Sequence, residues 1–217
     1  MTECTQTRFD FPSCKRRRVQ ANFDGGAITS DAGVLLLRQV DRRLGLTRAV
    51  ARSLNDPRRR ASCEHDLDSL LRQRIYGLAL GYEDLNDHQH LRTDVALQTA
   101  LERDTVLASQ STLCRFENHA DREAAWQMLQ VLVEQFIASF KHRPRKLVLD
   151  FDATDDAVHG KQQGRFFHGY YDQYCFSPLY VSCRDQLLVS YLRQSNIDGA
   201  KHTWAILALL VKLLRQV

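Results

Sequence analysis

The stretch Lys146-Leu-Val-Leu-Asp-Phe-Asp-Ala-Thr154 limits the possible folds of this chain more than any other part of its sequence. It follows Pro144, which ends the preceding helix, and it is dense in residues that favour β-structure, so it predicts a strand. Successive side chains of a strand point to opposite faces. Asp150 and Asp152 are therefore expected on one face, and most of the bulky apolar residues of the stretch on the other.

Two carboxylates on one strand face lie about 7 Å apart, at a rise of about 3.3 Å per residue. They repel each other, so the arrangement is stable when both are exposed or when a cation binds beside them. Their hard oxygen atoms suit Mg²⁺ or Mn²⁺. The alternative interpretation is a strand that ends in a solvated acidic turn, and the strand alone leaves both interpretations open.

Apolar residues at helical spacing predict several helices around this strand. The first starts after an N-cap at Ser30 or Asp31 and ends at Gly45. Further helices are expected over residues 48–54, 65–81, 95–101, 108–119, 121–140 and 200–215, and further strands over 166–171, 174–181 and 187–192. The expected buried faces are Leu35, Leu36, Val40, Leu44 and Leu46 at the first helix, Leu67, Leu70, Leu71, Ile75, Leu78 and Ala79 in 65–81, and Trp204, Leu207, Leu210, Val211 and Leu214 in 200–215.

Composition adds a weaker indication of the partner. The formal net charge is +4. Of the 30 basic residues, 24 are arginine and six are lysine. Arginine matches phosphate groups and guanine edges, which favours nucleic acid, although a GC-rich genome also raises the arginine content. No run approaches the roughly 18 apolar residues of a membrane span, and the N-terminus does not resemble a signal peptide, so no membrane association and a cytoplasmic location are expected.

The segment after the key strand resembles a known family. Together with the key strand, residues 155–181 and 192–201 are similar to the first part of the catalytic domain of DDE-type insertion-sequence transposases, and most similar to the group named after insertion sequence 1380. The similarity extends to residues 23–37 and 86–92, so it covers nearly all of the chain. The resemblance implies double-stranded DNA as the partner, at the terminal inverted repeats of an element, together with self-association and a nucleoid-associated location.

The residue pattern and the resemblance together predict an α+β architecture in three parts. Residues 1–20 are expected to be a basic, flexible arm, and residues 21–144 a mostly helical DNA-binding region. Residues 145–217 would be the first half of a ribonuclease-H-like catalytic domain, with three antiparallel strands and a helix. The long helix 121–140 is expected to pack with the helical region and to lead into the key strand.

In such transposases two Asp and one Glu hold two divalent ions, Mg²⁺ or Mn²⁺. The first Asp lies in an Asp-x-Thr motif, which Asp152-Ala-Thr154 matches, so Asp152 is expected to be a catalytic residue and metal ligand. Asp150, on the same strand face, is the alternative ligand. Asp155 and Asp156 are expected to be loop carboxylates that do not bind the ions directly.

The chain departs from the family pattern in one respect. The second Asp and the Glu belong to elements that would follow residue 217, and no Glu follows Glu134. The sequence is therefore interpreted as an N-terminal fragment, inactive alone, of a transposase that binds element ends and catalyses metal-dependent strand cleavage and transfer. The alternatives are a catalytically inactive DNA-binding remnant, and a nuclease that obtains its missing ligands from a second chain.

Candidate DNA-binding residues fall into four groups. Two are basic runs that would contact the phosphate backbone of DNA. The alternative interpretation of these runs is a solvated tail or loop. A third lies in the first turn of helix 108–119, where recognition helices meet base edges. The groups are Lys15, Arg16, Arg17 and Arg18 in the arm, Arg58, Arg59 and Arg60 in a loop, Gln110, Ser111 and Arg115 in the helix, and Lys161 in the loop after the key strand.

His88 and His90 in the segment 86–92 could suggest a metal site. Their separation by a single residue, with no cysteine or third ligand nearby, makes a zinc site the weaker interpretation. A packing or DNA-proximal role is expected instead.

Overall fold

The structure, a computed structural model, describes residues 8–14, 16–22 and 28–215. These residues form an α+β fold, as the sequence predicts. The α-helices are α1 Val34–Leu44, α2 Leu46–Ser53, α3 Leu67–Ala79, α4 His88–Leu91, α5 Val95–Ala100, α6 Gln110–Asn118, α7 Arg122–Ala138 and α8 Thr203–Leu214. The strands are β1 Arg8–Cys14, β2 Arg17–Asn22, β3 Asp150–Ala153, β4 Asp156–Ala157, β5 Phe166–His168, β6 Gln173–Phe176, β7 Leu179–Cys183 and β8 Gln186–Tyr191.

The chain divides into two compact units. The first contains residues 1–43 and 58–117, and the second contains residues 44–57 and 118–217. We call them the helical unit and the sheet unit. Since the division rests on compactness, the predicted functional boundary at residue 144 stays a prediction.

The helical unit packs around two apolar clusters. Two of its helices, α3 and α5, start at acidic caps: Asp66 accepts from the Ser69 amide at 2.8 Å, and Asp94 from the Leu97 amide at 2.8 Å. The larger cluster contains Val34, Tyr76, Leu91, Ala96, Leu97, Ala100, Leu101 and Leu107, and the smaller contains Leu70, Ala108 and Leu113. Both clusters draw on α3, which is therefore the central element of this unit.

The buried faces of α1 and α3 differ from those predicted. In α1 the fully buried residue is Val34, while Leu36, Val40 and Leu44 are exposed. The sequence of α1 is apolar on more than one side, so the packing partner and not the periodicity selects the face. In α3 the buried residues are Leu70, Leu71, Gln73, Tyr76 and Gly77, while Ile75 and Leu78 are exposed.

A buried polar network crosses the helical unit. The Gln73 side chain accepts a hydrogen bond from the Ala108 amide and donates one to the Ala108 carbonyl, both at 2.9 Å. The same Gln73 amide nitrogen lies 3.3 Å from Nδ1 of His88, which is fully buried. The His88 ring lies against Gly77. Since buried polar groups require partners, this network fixes α3, α4 and the segment before α6 relative to one another.

The sheet unit contains two antiparallel three-stranded sheets. The first has the order β3-β7-β8, and the second has the order β4-β6-β5. The second sheet lies between β3 and β7 in sequence. The first sheet followed by α8 is compatible with the predicted opening of a ribonuclease-H-like fold.

Three predicted strands differ from those observed, and one of them, 166–171, is only Phe166–His168. The key strand begins at Asp150 and not at Leu147, and its first pair joins Asp150 to Ser182, one residue before β7 ends at Cys183. The predicted strand 174–181 is two strands, separated by Ser177-Pro178. Pro178 cannot donate to a ladder, and the Ser177 amide donates to the Arg193 carbonyl at 2.8 Å.

Helices α7 and α8 cover one face of the first sheet. A single cluster contains Val133 and Phe136 from α7, Val181 and Leu188 from the strands, and Leu210 from α8. Helix α7 therefore packs on the first sheet, and it also contacts α2, which belongs to the predicted helical region 21–144. In α8 the residues that pack on the sheet have the spacing i, i+4, i+7, i+8 of one helix face, and they are Ile206, Leu210, Leu213 and Leu214. Trp204 does not lie on this face and is 81% exposed, contrary to the prediction.

The predicted flexible arm contains two paired strands. Strands β1 and β2 pair in antiparallel order, with Phe9 opposite Ala21 and Phe11 opposite Val19. These residues alternate with polar ones, and the period of two favours a hairpin despite the basic run.

We predict that Gly77→Ala destabilises the protein. A Cβ at this position would lie 2.7 Å from Cε1 of His88, in a buried ring that cannot retreat. The free energy of urea unfolding should fall by about 1–3 kcal/mol, the usual cost of overpacking.

Gly33→Ala is the matched control, because a Cβ there meets no atom within 4 Å. It should leave the free energy of unfolding within about 1 kcal/mol of wild type. Equal effects of the two substitutions would contradict the proposed packing of His88 on α3.

Candidate active site and nucleic-acid interface

Strand β3 carries the two candidate metal ligands on its uncovered face. Asp150 pairs with Ser182 and Asp152 with Tyr180, and both carboxylates belong to exposed residues. Phe151 points to the opposite face and packs in the cluster under α7 and α8. The alternation predicted from the sequence is therefore present, and the carboxylates are open to solvent or to a cation.

The C-terminal end of β3 is supported from two sides. The Thr154 amide donates to the Pro178 carbonyl at 3.3 Å, and a Cβ on Gly199 would lie 3.7 Å from Cβ of Ala153. Buried Arg193 joins these two supports. Its guanidinium donates to the carbonyls of Ser177 at 2.8 Å, Gly199 at 3.1 Å and Lys201 at 2.7 Å.

The neighbouring acidic residues differ from Asp150 and Asp152 in their surroundings. Asp155 is half-buried and accepts a hydrogen bond from the Gln173 side chain, and Asp156 lies in β4. These surroundings are compatible with the predicted role of Asp155 and Asp156 as loop carboxylates.

The donor chemistry on β3 fits a hard divalent cation. Asp150 and Asp152 offer carboxylate oxygens from one exposed strand face, which are ligands that Mg²⁺ and Mn²⁺ accept together with water. Within residues 8–14, 16–22 and 28–215, no three His, Cys, Asp or Glu residues come together as a metal-binding group.

The helical unit presents α6 at its surface. Ser109 lies just before the helix, and its hydroxyl oxygen is 3.1 Å from that of Ser111 and 3.0 Å from that of Thr112. Ser111 and Arg115 are exposed, and the Gln110 side chain donates to Oδ1 of Asn86. The three predicted residues thus lie within the first two turns of α6, and Gln110 contacts Asn86, which belongs to the segment 86–92 for which a packing or DNA-proximal role is expected.

The remaining DNA-binding candidates are distributed over the chain. Arg58 donates to the His65 carbonyl at 3.1 Å, so it supports its own loop, while Arg59 and Arg60 are exposed. Lys161 is exposed in the loop of the sheet unit after β4, and Arg16 is exposed in the turn between β1 and β2. Lys15 and the side chains of Arg17 and Arg18 lie outside the described residues.

Several arginines have structural partners instead. Arg38 and Arg42 both bind Glu102, Arg72 binds Asp68, and Arg74 binds Glu117 as well as the carbonyls of Tyr82 and Glu83. Part of the arginine excess therefore holds the helical unit together. Arginine content alone could not separate these internal contacts from a DNA-binding surface.

His88 has a packing role, as the sequence suggested. The Ala108 backbone fixes the orientation of the Gln73 amide, so its nitrogen donates to His88 and Nδ1 must accept. Nε2 then carries the proton, and it has no hydrogen-bond partner among the described residues. Burial lowers the pKa of His88, the Arg74 guanidinium lowers it further, and Asp87 and Glu117 oppose this shift.

Comparison with known proteins identifies the class. The family described as transposase DDE domain, group 1, matches residues 11–217. The chain belongs to this family, whose members are DNA transposases. No curated protein and no solved structure matches the chain. Among the helices that the structure describes, none is long and apolar enough to cross a lipid bilayer.

We predict that acid destabilises the helical unit through His88. Its pKa is lowered in the folded state, so the unfolded chain binds the extra proton more readily below the ordinary value of about 6.5. The contribution of neutral His88 is complete above that value and is lost as the pH falls. Burial also lowers the pKa of His65, which adds to the effect.

The measurement is the free energy of urea unfolding at about pH 7.5 and about pH 5. His88→Gln should reduce the loss between the two conditions. His90→Gln is the control, because His90 is exposed, two residues after His88 on α4. A pH dependence that is unchanged by His88→Gln would contradict the assignment.

Proposed function

We propose that this chain binds the ends of an insertion sequence and supplies the first catalytic carboxylate for metal-dependent DNA strand cleavage and transfer. The observation that carries the proposal is the position of Asp152 in an Asp-x-Thr motif, on the exposed face of β3, in a chain of the DDE transposase family. The assignment of the 1380 group belongs to the same proposal, as does action in the cytoplasm, on nucleoid DNA.

The catalytic half of the proposal rests on the polarity of the first sheet. The covered face is apolar, so the carboxylates of Asp150 and Asp152 can only act on the opposite side, where a DNA backbone has access. When bound there, divalent ions would activate the attacking oxygen and stabilise the leaving oxygen at a phosphate. Asp152 would hold an ion, and Asp150 would assist it.

The protein's own contribution is to keep the Asp152 carboxylate in place. Pairing with Tyr180 fixes the strand, and the contacts of Thr154 and Gly199 fix its end. A rigid strand end lowers the cost of ordering a ligand when the ion and the DNA bind.

The DNA-binding half of the proposal rests on the surface of the helical unit. Ser111 and Arg115 are exposed on α6, whose beginning is fixed by the buried Gln73 network. Arg59 and Arg60 would add contacts to phosphates. Among the residues that the structure describes, β3 is an edge strand of the first sheet, which supports self-association, because unpaired strand edges pair with other chains.

In a transposase that contains residues 1–217 together with the second Asp and the Glu of the family, we predict that Asp152→Asn lowers excision of the element by about 100-fold or more, because an amide is a poor ligand for a hard cation. Asp150→Asn should reduce excision less. The assay measures excision in cells, and a gel shift with element-end DNA measures binding separately.

Asp185→Asn, in the turn between β7 and β8, is the control and should leave both readouts unchanged. Loss of DNA binding together with excision would place Asp152 in the DNA contact instead. If only Asp150→Asn abolished excision, the two assignments would have to be exchanged.

We also predict that replacing Arg59 and Arg60 with Gln weakens binding to specific and random duplexes alike. Each phosphate contact contributes about 0.9 to the slope of log K against log salt, so the slope should become shallower by about 2. Fluorescence anisotropy over a salt series measures it. Arg42→Gln is the matched control, because that arginine binds Glu102, and an unchanged slope in the double variant would exclude the loop from the interface.

A further inference from the structure

A chain of hydrogen bonds joins the segment before α4 to the first residue of α6. The Asn86 side chain donates from Nδ2 to Oδ2 of Asp84 at 3.1 Å, and the Asn86 amide donates to Oδ1 of Asp84 at 2.8 Å. The Asn86 Oδ1 atom accepts from Nε2 of Gln110. All three residues belong to the helical unit.

This chain has a fixed direction. A carboxylate can only accept hydrogen bonds. The side-chain amide of Asn86 therefore turns its nitrogen towards Asp84 and its oxygen away from Asp84. The Asn86 oxygen can only accept, so Gln110 must present its nitrogen to Asn86. The orientation of the Gln110 amide, which is ambiguous for an isolated glutamine, is therefore set by a charged group two residues from Asn86.

One donor and one acceptor of Gln110 remain available. The second proton on Nε2 and the Oε1 atom make no hydrogen bond with any residue that the structure describes. A glutamine amide that presents one Nε2 proton together with Oε1 matches the N7 acceptor and the N6 donor of adenine in the major groove. The position also suits this role, since Gln110 is the first residue of α6 and exposed Ser111 and Arg115 follow it.

The backbone at this point is held as firmly as the side chain. Gln73 binds both the amide and the carbonyl of Ala108, two residues before Gln110. A fixed backbone and a fixed amide orientation leave little freedom to lose on binding, which favours discrimination between base pairs.

We propose that Gln110, oriented by Asn86, recognises one adenine in the DNA bound by the helical unit and is a specificity-determining residue. The inference rests on the proposed DNA binding by α6 and names the base that this site reads. Asn86 acts through Gln110 as a positioning residue.

The first test is selection from a random duplex library with the full 217-residue chain. The wild type is expected to enrich a motif with an invariant A·T pair. Gln110→Ala and Asn86→Ala should both lose preference at that same pair, and the double variant should lose no more than Gln110→Ala. Gln39→Ala, an exposed glutamine on α1, is the control and should keep the motif.

The second test replaces atoms. Gln110→Glu should shift the preference at that pair towards cytosine, whose N4 donates to a carboxylate. Replacing the selected adenine with 7-deazaadenine removes the N7 acceptor. It should weaken wild-type binding measurably and leave Gln110→Ala unaffected. Changing the base pair itself should lower the affinity of the wild type by about 5- to 150-fold. The same change should leave the affinity of the Gln110→Ala variant nearly unchanged.

The outcomes separate this inference from the proposed function. The inference is overturned if Gln110→Ala keeps the base preference at every position of the motif. It is also overturned if Asn86→Ala and Gln110→Ala change the preference at different positions. Either outcome leaves DNA binding intact. Enrichment of no motif and no binding to any duplex would overturn both. Circular dichroism of each variant excludes unfolding as the cause, and the gain of cytosine preference by Gln110→Glu cannot arise from unfolding.

Discussion

The one-sided covering of the first sheet is the constraint on which the sheet unit depends. Helices α7 and α8 pack on the same face of β3, β7 and β8, where Phe136, Val181 and Leu210 form the core. Because strand side chains alternate, burying Phe151 on that face leaves Asp150 and Asp152 on the other. Apolar burial thus positions the carboxylates, and no polar contact is needed to hold them outward.

A second constraint acts in the helical unit, where a polar group and not an apolar one joins the elements. Gln73 is buried, and its side chain binds both the backbone amide and the carbonyl of Ala108. The His88 ring packs between the Gln73 side-chain amide and Gly77. Such a network is costly when any member lacks its partner, so it selects one arrangement of α3, α4 and the start of α6. The start of α6, whose surface we propose as the DNA-binding site, is therefore held in place by the uncharged side chain of Gln73.

Arginine shows how one residue type serves two purposes in this chain. Arg38, Arg74 and Arg193 bind carboxylates or carbonyls within the fold, while Arg59, Arg60 and Arg115 are exposed. Burial lowers the pKa of Arg193, a cost that its several carbonyl acceptors offset. The internal arginines hold loops and helices, so only the exposed ones can contribute to the affinity for a phosphate backbone.

The sequence by itself determined the features that depend on near neighbours. The period of two in residues 147–153 assigned Asp150 and Asp152 to one face, and the period near 3.6 located the principal helices. The resemblance of residues 155–181 and 192–201 led to the transposase family, which the comparison confirmed. Tertiary structure decided what depends on distant partners: the buried face of α1, the start of β3 opposite the end of β7, and the packing of α7 in the sheet unit. The bond between Asn86 and Gln110 is of the same kind, because these residues lie 24 positions apart and local periodicity carries no information about such a pair.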